Sequence, residues 1–129
     1  QPAPRGTEGA IAIRLPLPPP GFVGRFFKFG TRPALDISAI SIAIGGVRSG
    51  RALTHVRVAY GAVAPVPLRA RRTEAALEGA PLDAAAIDRV AATARDEVRP
   101  IDDVRASAWY RKELVFNMTR RILGDVAQA

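Results

Sequence analysis

The chain has 129 residues, a length typical of one domain, and its 48% hydrophobic and 24% charged residues are typical of a globular fold rather than a disordered chain. It contains no cysteine, which excludes disulfide frameworks, thiolate metal sites and thiol catalysis. No apolar stretch is long enough to cross a bilayer and the first residues do not resemble a secretory signal, so we expect a cytoplasmic protein.

The formal net charge is +7, and the basic residues are concentrated in the first half of the chain. Residues 1–72 hold 11 lysines and arginines against 2 acidic residues, whereas residues 73–129 hold 8 against 10. A basic surface suits nucleic acid, an acidic protein or an anionic cofactor. The candidate nucleic-acid stripe, Arg69, Arg71 and Arg72, lacks interleaved aromatic residues, so nucleic acid is the less favoured partner.

The first predicted element is an edge strand over residues 10–15, in which Ile11, Ile13 and Leu15 share one face. Four prolines within residues 16–20 then favour an extended polyproline conformation, because proline cannot donate to a strand ladder. We interpret this run as a stiff connector.

Residues 22–29 mix aromatic and basic side chains. In an extended conformation, Phe27 and Phe29 share one face and Lys28 lies on the other. Lys28 is one of only two lysines in the chain.

A β-hairpin is predicted next. Residues 35–44 and 52–60 alternate apolar with small or polar side chains, as half-buried strands do. The predicted inward positions are Ile40, Ile42, Ile44, Val56, Val58 and Tyr60. Residues 45–50 hold three glycines and form the predicted turn between the strands. We read Gly45 and Gly46 as part of this turn rather than as a phosphate loop, because no helix follows them closely.

Three helices are predicted in the second half. The first covers residues 68–77 and ends at Gly79; the second begins after the N-cap Asp83 and ends before Pro100. The third runs from about residue 107 to 123. Its predicted buried stripe is Tyr110, Leu114, Met118 and Ile122. The fold class is therefore α+β: an antiparallel sheet of three to four strands followed by three helices packed on one face, a two-layer sandwich.

No catalytic or metal-binding constellation emerges from the sequence. The single histidine, His55, has no second metal ligand or nucleophilic partner and is predicted to lie on the surface. Asp102 and Asp103 are adjacent acids just before a helix. Helix capping, or an ion pair to Arg99 or Arg105, explains them better than general acid–base chemistry does.

Four segments resemble the carboxy-terminal domain of the FAD-binding (medium) subunit of molybdenum hydroxylases, the carbon monoxide dehydrogenase and xanthine dehydrogenase family. They are KFGTRPALDIS at residues 28–38, GAVAPVPLRA with EAALEG within 61–79, RPIDDVRASAWYR at 99–111 and RRIL at 120–123. Their order and spacing extend over about three quarters of the chain.

The resemblance implies an electron-transfer complex. In such a complex a large subunit carries the molybdenum cofactor and oxidises substrate. A small iron–sulfur subunit relays electrons through [2Fe–2S] clusters, and FAD passes them to NAD, a quinone or another acceptor. It further implies that residues 1–20 lead in from a preceding N-terminal FAD-binding domain that holds most of the FAD, and that residues 21–129 form the flavoprotein C-terminal domain.

For individual residues, the resemblance implies that the Lys28 ammonium pairs with an anionic oxygen of the flavin or its phosphates, the alternative being a solvated surface lysine. Arg32 and Asp36 match the family pattern and are expected to form a structural ion pair or turn contact.

The densest matched cluster is Asp103, Arg105, Ser107, Tyr110 and Arg111. A helix start accounts for it, with Ser107 as N-cap, Asp103 and Arg105 paired, and Tyr110 anchoring the first turn. Contact with the iron–sulfur subunit is the alternative, because loops rich in arginine and tyrosine are common at interface centres.

Overall fold

The computed structural model describes residues 12, 14–30, 39–64, 66–103 and 106–128. The strand predicted over residues 10–15 lies largely outside this part, and Arg14 and Leu15, which are described, are not in a strand. Arg32, Asp36 and Arg105 also lie outside the described residues.

The described residues form one antiparallel sheet and three helices, as the α+β prediction requires. The strands are β1 (Phe22–Phe29), β2 (Ile40–Ser49), β3 (Ala52–Gly61) and β4 (Leu68–Arg69), in the spatial order β1-β2-β3-β4. The helices are α1 (Arg71–Leu77), α2 (Ala84–Glu97) and α3 (Ala108–Gln128).

The hydrophobic core lies between the inner face of the sheet and the helices. All six predicted inward positions of β2 and β3 are buried there, and Phe27 and Phe29 of β1 pack against the same core. The hydroxyl groups of Tyr60 and Thr119 share a hydrogen bond of 2.8 Å, which satisfies the one phenol buried in this core and links β3 to α3.

The hairpin turn lies later than predicted. It consists of Gly50, whose φ is +62°, and Arg51, so β2 continues through Gly45 and Gly46. Beyond these glycines the register shifts, because His55 and Val56 together oppose the single residue Gly46. The result is a β-bulge with His55 in the left-handed region at φ 53°, and the bulge absorbs the extra residue without breaking the hairpin.

The helix boundaries differ from the predicted ones at two points. α1 begins at Arg71 rather than residue 68, because Leu68 and Arg69 pair with Tyr60 and Ala59 as the short strand β4. α3 extends to Gln128 instead of ending near residue 123. The Asp83 N-cap is confirmed, since its carboxylate accepts a 2.8 Å hydrogen bond from the Ala86 N–H.

The buried face of α3 is rotated relative to the predicted stripe. Leu114 and Ile122 are buried as expected, but Tyr110 is 41% exposed and Met118 is only half-buried. The fully covered positions are Arg111, Val115, Thr119, Leu123 and Val126. The prediction failed because an arginine at a core position breaks the apolar pattern from which a helix face is read.

Candidate functional site

The side of the sheet away from the helices carries mostly small side chains. We call this side the outer face. It consists of Phe22, Gly24, Phe26 and Lys28 on β1, Ser41, Ala43 and Gly45 on β2, Arg57, Ala59 and Gly61 on β3, and Arg69 on β4. Since no helix covers it, the outer face is the part of the described fold open to a partner or ligand.

A groove of about 730 Å³ runs across the outer face. Phe22 and Phe26 line it on the β1 side, and Arg57 and Arg69 line it on the β3–β4 side. The Phe22 ring covers the paired glycines Gly24 and Gly45, where an added Cβ would approach the ring to 2.8 and 2.9 Å. The groove floor therefore depends on residues without side chains.

Lys28 lies exposed on the outer face, as the alternation predicted, opposite Ser41 in the register of β1 and β2. Ser41 in turn pairs with Gly61, where an added Cβ would lie 2.3 Å from the serine Oγ. Around Lys28 the surface is thus flat and free of large neighbours from β2 and β3.

Arg69 does not form one stripe with Arg71 and Arg72. Its Nε and Nη2 donate to the two carboxylate oxygens of Glu74 at 2.9 and 3.0 Å, and the Val58 N–H donates to the same carboxylate at 2.9 Å. Burial alone would raise the pKa of Glu74, but these hydrogen bonds from Arg69 and Val58 outweigh it and hold the pKa below its ordinary value near 4.5.

A second glutamate of the same segment secures the β-bulge. The Glu78 carboxylate accepts hydrogen bonds of 2.9 Å from the backbone N–H groups of His55 and Val56. The hydrogen bond from Val56, with that from His55, lowers the pKa of Glu78. β4 has two residues and pairs with Ala59 and Tyr60, so it leaves the earlier N–H groups of β3 without a strand partner. The carboxylates of Glu74, on α1, and Glu78, just after α1, accept hydrogen bonds from these groups instead.

Because the pKa values of Glu74 and Glu78 are lowered in the folded state, their contribution to stability is full above pH 4.5 and is lost as the pH falls below it. We expect the midpoint of thermal unfolding to fall steeply in this acid range. Glu74→Gln should cost about 1–3 kcal/mol at pH 7 and flatten the acid dependence. Thermal unfolding followed by circular dichroism between pH 3 and 7 tests this, and an unchanged slope in the variant contradicts it.

At the start of α3, the helix-start interpretation is confirmed for the described residues. The Ser107 hydroxyl accepts a 3.0 Å hydrogen bond from the Tyr110 N–H, as an N-cap does. Asp102 accepts a hydrogen bond from the Ala108 N–H. The Tyr110 ring meets Phe29 edge-to-face, with centroids 6.4 Å apart, and so anchors the first turn on β1.

Asp103 has one partner that the sequence did not indicate, while its predicted pair with Arg105 lies outside the described residues. Arg111 Nη2 donates to Asp103 Oδ1 at 2.7 Å, while Arg99 donates to backbone carbonyls instead. The Arg111 side chain is 2% exposed, and its other donors reach the carbonyl oxygens of Ala39 at 3.1 Å and Ile101 at 2.7 Å. Arg111 therefore ties α3 to the residue before β2 and to the segment after α2, and it belongs to the core rather than to the surface. Arg111 lies four residues before Val115 and eight before Thr119, a spacing that places all three on one helix face. This spacing could have indicated from the sequence that Arg111 is buried.

Within the part of the chain that the structure describes, no group of three or more His, Asp or Glu side chains is arranged to hold a metal ion. None of the described helices is long and apolar enough to span a membrane.

Residues 25–126 match the family described as the CO dehydrogenase flavoprotein C-terminal domain. The chain belongs to this family. The resemblance of the four sequence segments to the FAD subunit of molybdenum hydroxylases is thereby confirmed.

Curated relatives agree with this family. The chain is 29% identical over 123 residues to the xanthine dehydrogenase FAD-binding subunit of Escherichia coli O157:H7, an alignment covering 95% of this chain and 42% of the relative. It is 27% identical over 121 residues to the glyceraldehyde dehydrogenase medium chain of Sulfolobus acidocaldarius, covering 94% and 43%. The chain thus spans less than half the length of these relatives.

Solved structures show the same fold. Carbon monoxide dehydrogenase from Hydrogenophaga pseudoflava superposes with a TM-score of 0.77 at 29% identity, over 83% of this chain and 37% of that one. Quinoline 2-oxidoreductase from Pseudomonas putida 86 superposes with a TM-score of 0.74 at 26% identity, over 84% and 38%.

Proposed function

We propose that this chain is the C-terminal module of the FAD subunit of a molybdenum-containing hydroxylase or dehydrogenase. In this proposal it supports the flavin and docks the subunits, while electrons pass from [2Fe–2S] clusters through FAD to an acceptor. FAD is held mainly by a preceding FAD-binding part, and the molybdenum cofactor and clusters belong to partner subunits. Family membership is the observation that carries the proposal.

The outer face suits contact with a flavin from one side. A flat floor of glycine and alanine flanked by Phe26 and by cations matches the aromatic ring and anionic oxygens of such a group. The bound flavin would supply the redox chemistry. The role of this chain's residues is to orient it, exclude water from one side and offer the Lys28 ammonium to an anionic oxygen.

The alternative, a free-standing basic binding module for nucleic acid or an acidic protein, has less support, because the chain belongs to a family of flavoprotein C-terminal domains. Arg69 already pairs with Glu74, and no aromatic residue lies between Arg69 and Arg72. The remaining basic side chains at the start of α1 suit an acidic protein surface better than a duplex groove.

The flavin role of Lys28 is tested in the full-length subunit with Lys28→Ala. We expect FAD affinity to fall at least about fivefold, because a charge-assisted contact is lost from a surface that becomes desolvated in the assembly. Lys112→Ala is the matched control, since Lys112 is the other lysine and lies on α3, away from the outer face.

The measurement is the FAD content of the purified protein together with the rate of flavin reduction in the assembled complex. Thermal unfolding should be the same in both variants. If Lys28→Ala keeps its flavin and its reduction rate, Lys28 is a solvated surface lysine, and the assignment is wrong.

A further inference from the structure

Exposed apolar side chains gather at one end of the sheet. At this end Phe29 pairs with Ile40, Ser41 with Gly61, and Tyr60 with Leu68. Arg111 and Tyr110 fasten the first turn of α3 to it. We call it the Trp109 end. Trp109 is 70% exposed, Ile101 67%, Val66 63% and Tyr110 41%.

Hydrogen bonds fasten the segment after α2, which carries Ile101, to neighbouring parts of the fold. Arg111 binds the Ile101 carbonyl at 2.7 Å, and Asp103 accepts from the Ala106 N–H at 3.2 Å. The Arg99 N–H donates to the Val63 carbonyl at 3.2 Å, which ties the segment after α2 to the end of β3. Preorganised aromatic and aliphatic anchors of this kind bind a protein partner with little loss of conformational entropy.

The charges at the Trp109 end are mainly basic. Three acids near it are used internally: Glu97 accepts from the backbone N–H groups of Arg72 and Thr73, Asp102 from the Ala108 N–H, and Asp103 from Arg111. Asp96, at the end of α2, is an exposed acid beside them. The side chains of Arg71, Arg72 and Arg99 are exposed and have no carboxylate partner among the described residues. The surface offered is an apolar centre with a basic rim.

We propose that the Trp109 end docks a protein surface with an apolar centre and an acidic rim, which under the proposed function belongs to the iron–sulfur subunit. Charge complementarity selects an acidic partner. The Trp109 end adjoins the proposed flavin contact, because Lys28 lies one residue from Phe29. Electron transfer requires the subunit that donates electrons to approach the flavin closely. The acidic partner at this end is therefore the iron–sulfur subunit. The inference rests on the proposed function only for the identity of this partner.

The test uses the full-length FAD subunit and the iron–sulfur subunit of its own complex, with binding measured by calorimetry. The double variant Trp109→Ser with Ile101→Ser should weaken binding at least tenfold, and FAD content and thermal unfolding should remain unchanged. Phe116→Ala is the matched control. It removes a partly exposed aromatic side chain seven residues along α3, stacked between Arg95 and Arg120, and should change the affinity less than twofold.

A second variant reports on the rim. Arg71→Ala with Arg72→Ala should slow association at low salt and reduce its salt dependence, because steering by exposed charges is screened by ions. An association rate and salt response equal to those of the native subunit would argue against an acidic partner at this end.

The outcomes separate the two proposals. If the native subunit binds and the double variant binds equally well, docking occurs elsewhere and the proposed function stands. If the double variant instead loses FAD, or loses only the molybdenum subunit, the Trp109 end serves another contact and the docking proposal is wrong. If the native subunit does not bind an iron–sulfur subunit at all, the proposed function fails with it.

Discussion

Replacing Arg111 with alanine is expected to lower the free energy of unfolding by about 2–5 kcal/mol, because it removes a large, 2% exposed side chain together with all of its hydrogen bonds. The buried carbonyl oxygen of Ala39 loses its donor, and the more exposed Ile101 carbonyl and Asp103 carboxylate each lose a hydrogen bond from the guanidinium group. A loss of this size is a large fraction of the stability of a small domain, so the variant should be largely unfolded at moderate temperature.

Urea unfolding of the 129-residue chain measures this effect. Arg111→Lys should recover part of the loss, since it keeps the charge but cannot bind three acceptors in a fork. Arg120→Ala is the matched control on the same helix. Its pair with Asp88 has side chains 48% and 55% exposed, and its loss should cost less than about 1 kcal/mol. A cost below about 1 kcal/mol for Arg111→Ala would show that the contacts of this side chain contribute little to stability.

The second large effect concerns the flavin. The full-length subunit should bind FAD stoichiometrically, whereas the 129-residue chain alone should take up no measurable FAD at concentrations that saturate the full-length protein. Tight binding of a cofactor requires most of its surface to be buried, and the outer face can cover it from one side only. The chain also contains no Gly-x-Gly-x-x-Gly phosphate loop.

Equilibrium dialysis with FAD on both proteins decides between these outcomes, and circular dichroism of the chain confirms that it is folded during the measurement. Lys28→Ala in the chain alone should change nothing, because the contact it removes exists only with the FAD-binding part attached. Tight FAD binding by the folded chain would contradict the proposed division of labour between the two parts.

Some elements could be predicted because they depend on local patterns. Alternation with a period of two in β2 and β3 selected the buried face, because successive side chains of a strand point to opposite sides. Asp83 and Ser107 marked helix starts, because capping satisfies backbone groups within three residues. The same alternation indicated that Lys28 lies opposite Phe27 and Phe29, although its contact with a flavin remains a prediction.

Tertiary contacts decided the rest. The burial of Arg111 depends on Ala39, 72 residues away in the chain, and the burial of Glu74 depends on Val58. Gly45 and Gly46 resemble a turn, but the Phe22 ring and the bulge at His55 hold them inside a strand. The sequence by itself determined the class of fold, the β2–β3 hairpin, the succession of three helices and the family, but it did not indicate β4. Only the tertiary structure decided which polar side chains lie inside, because a buried charge is stable only where distant segments bring acceptors to it.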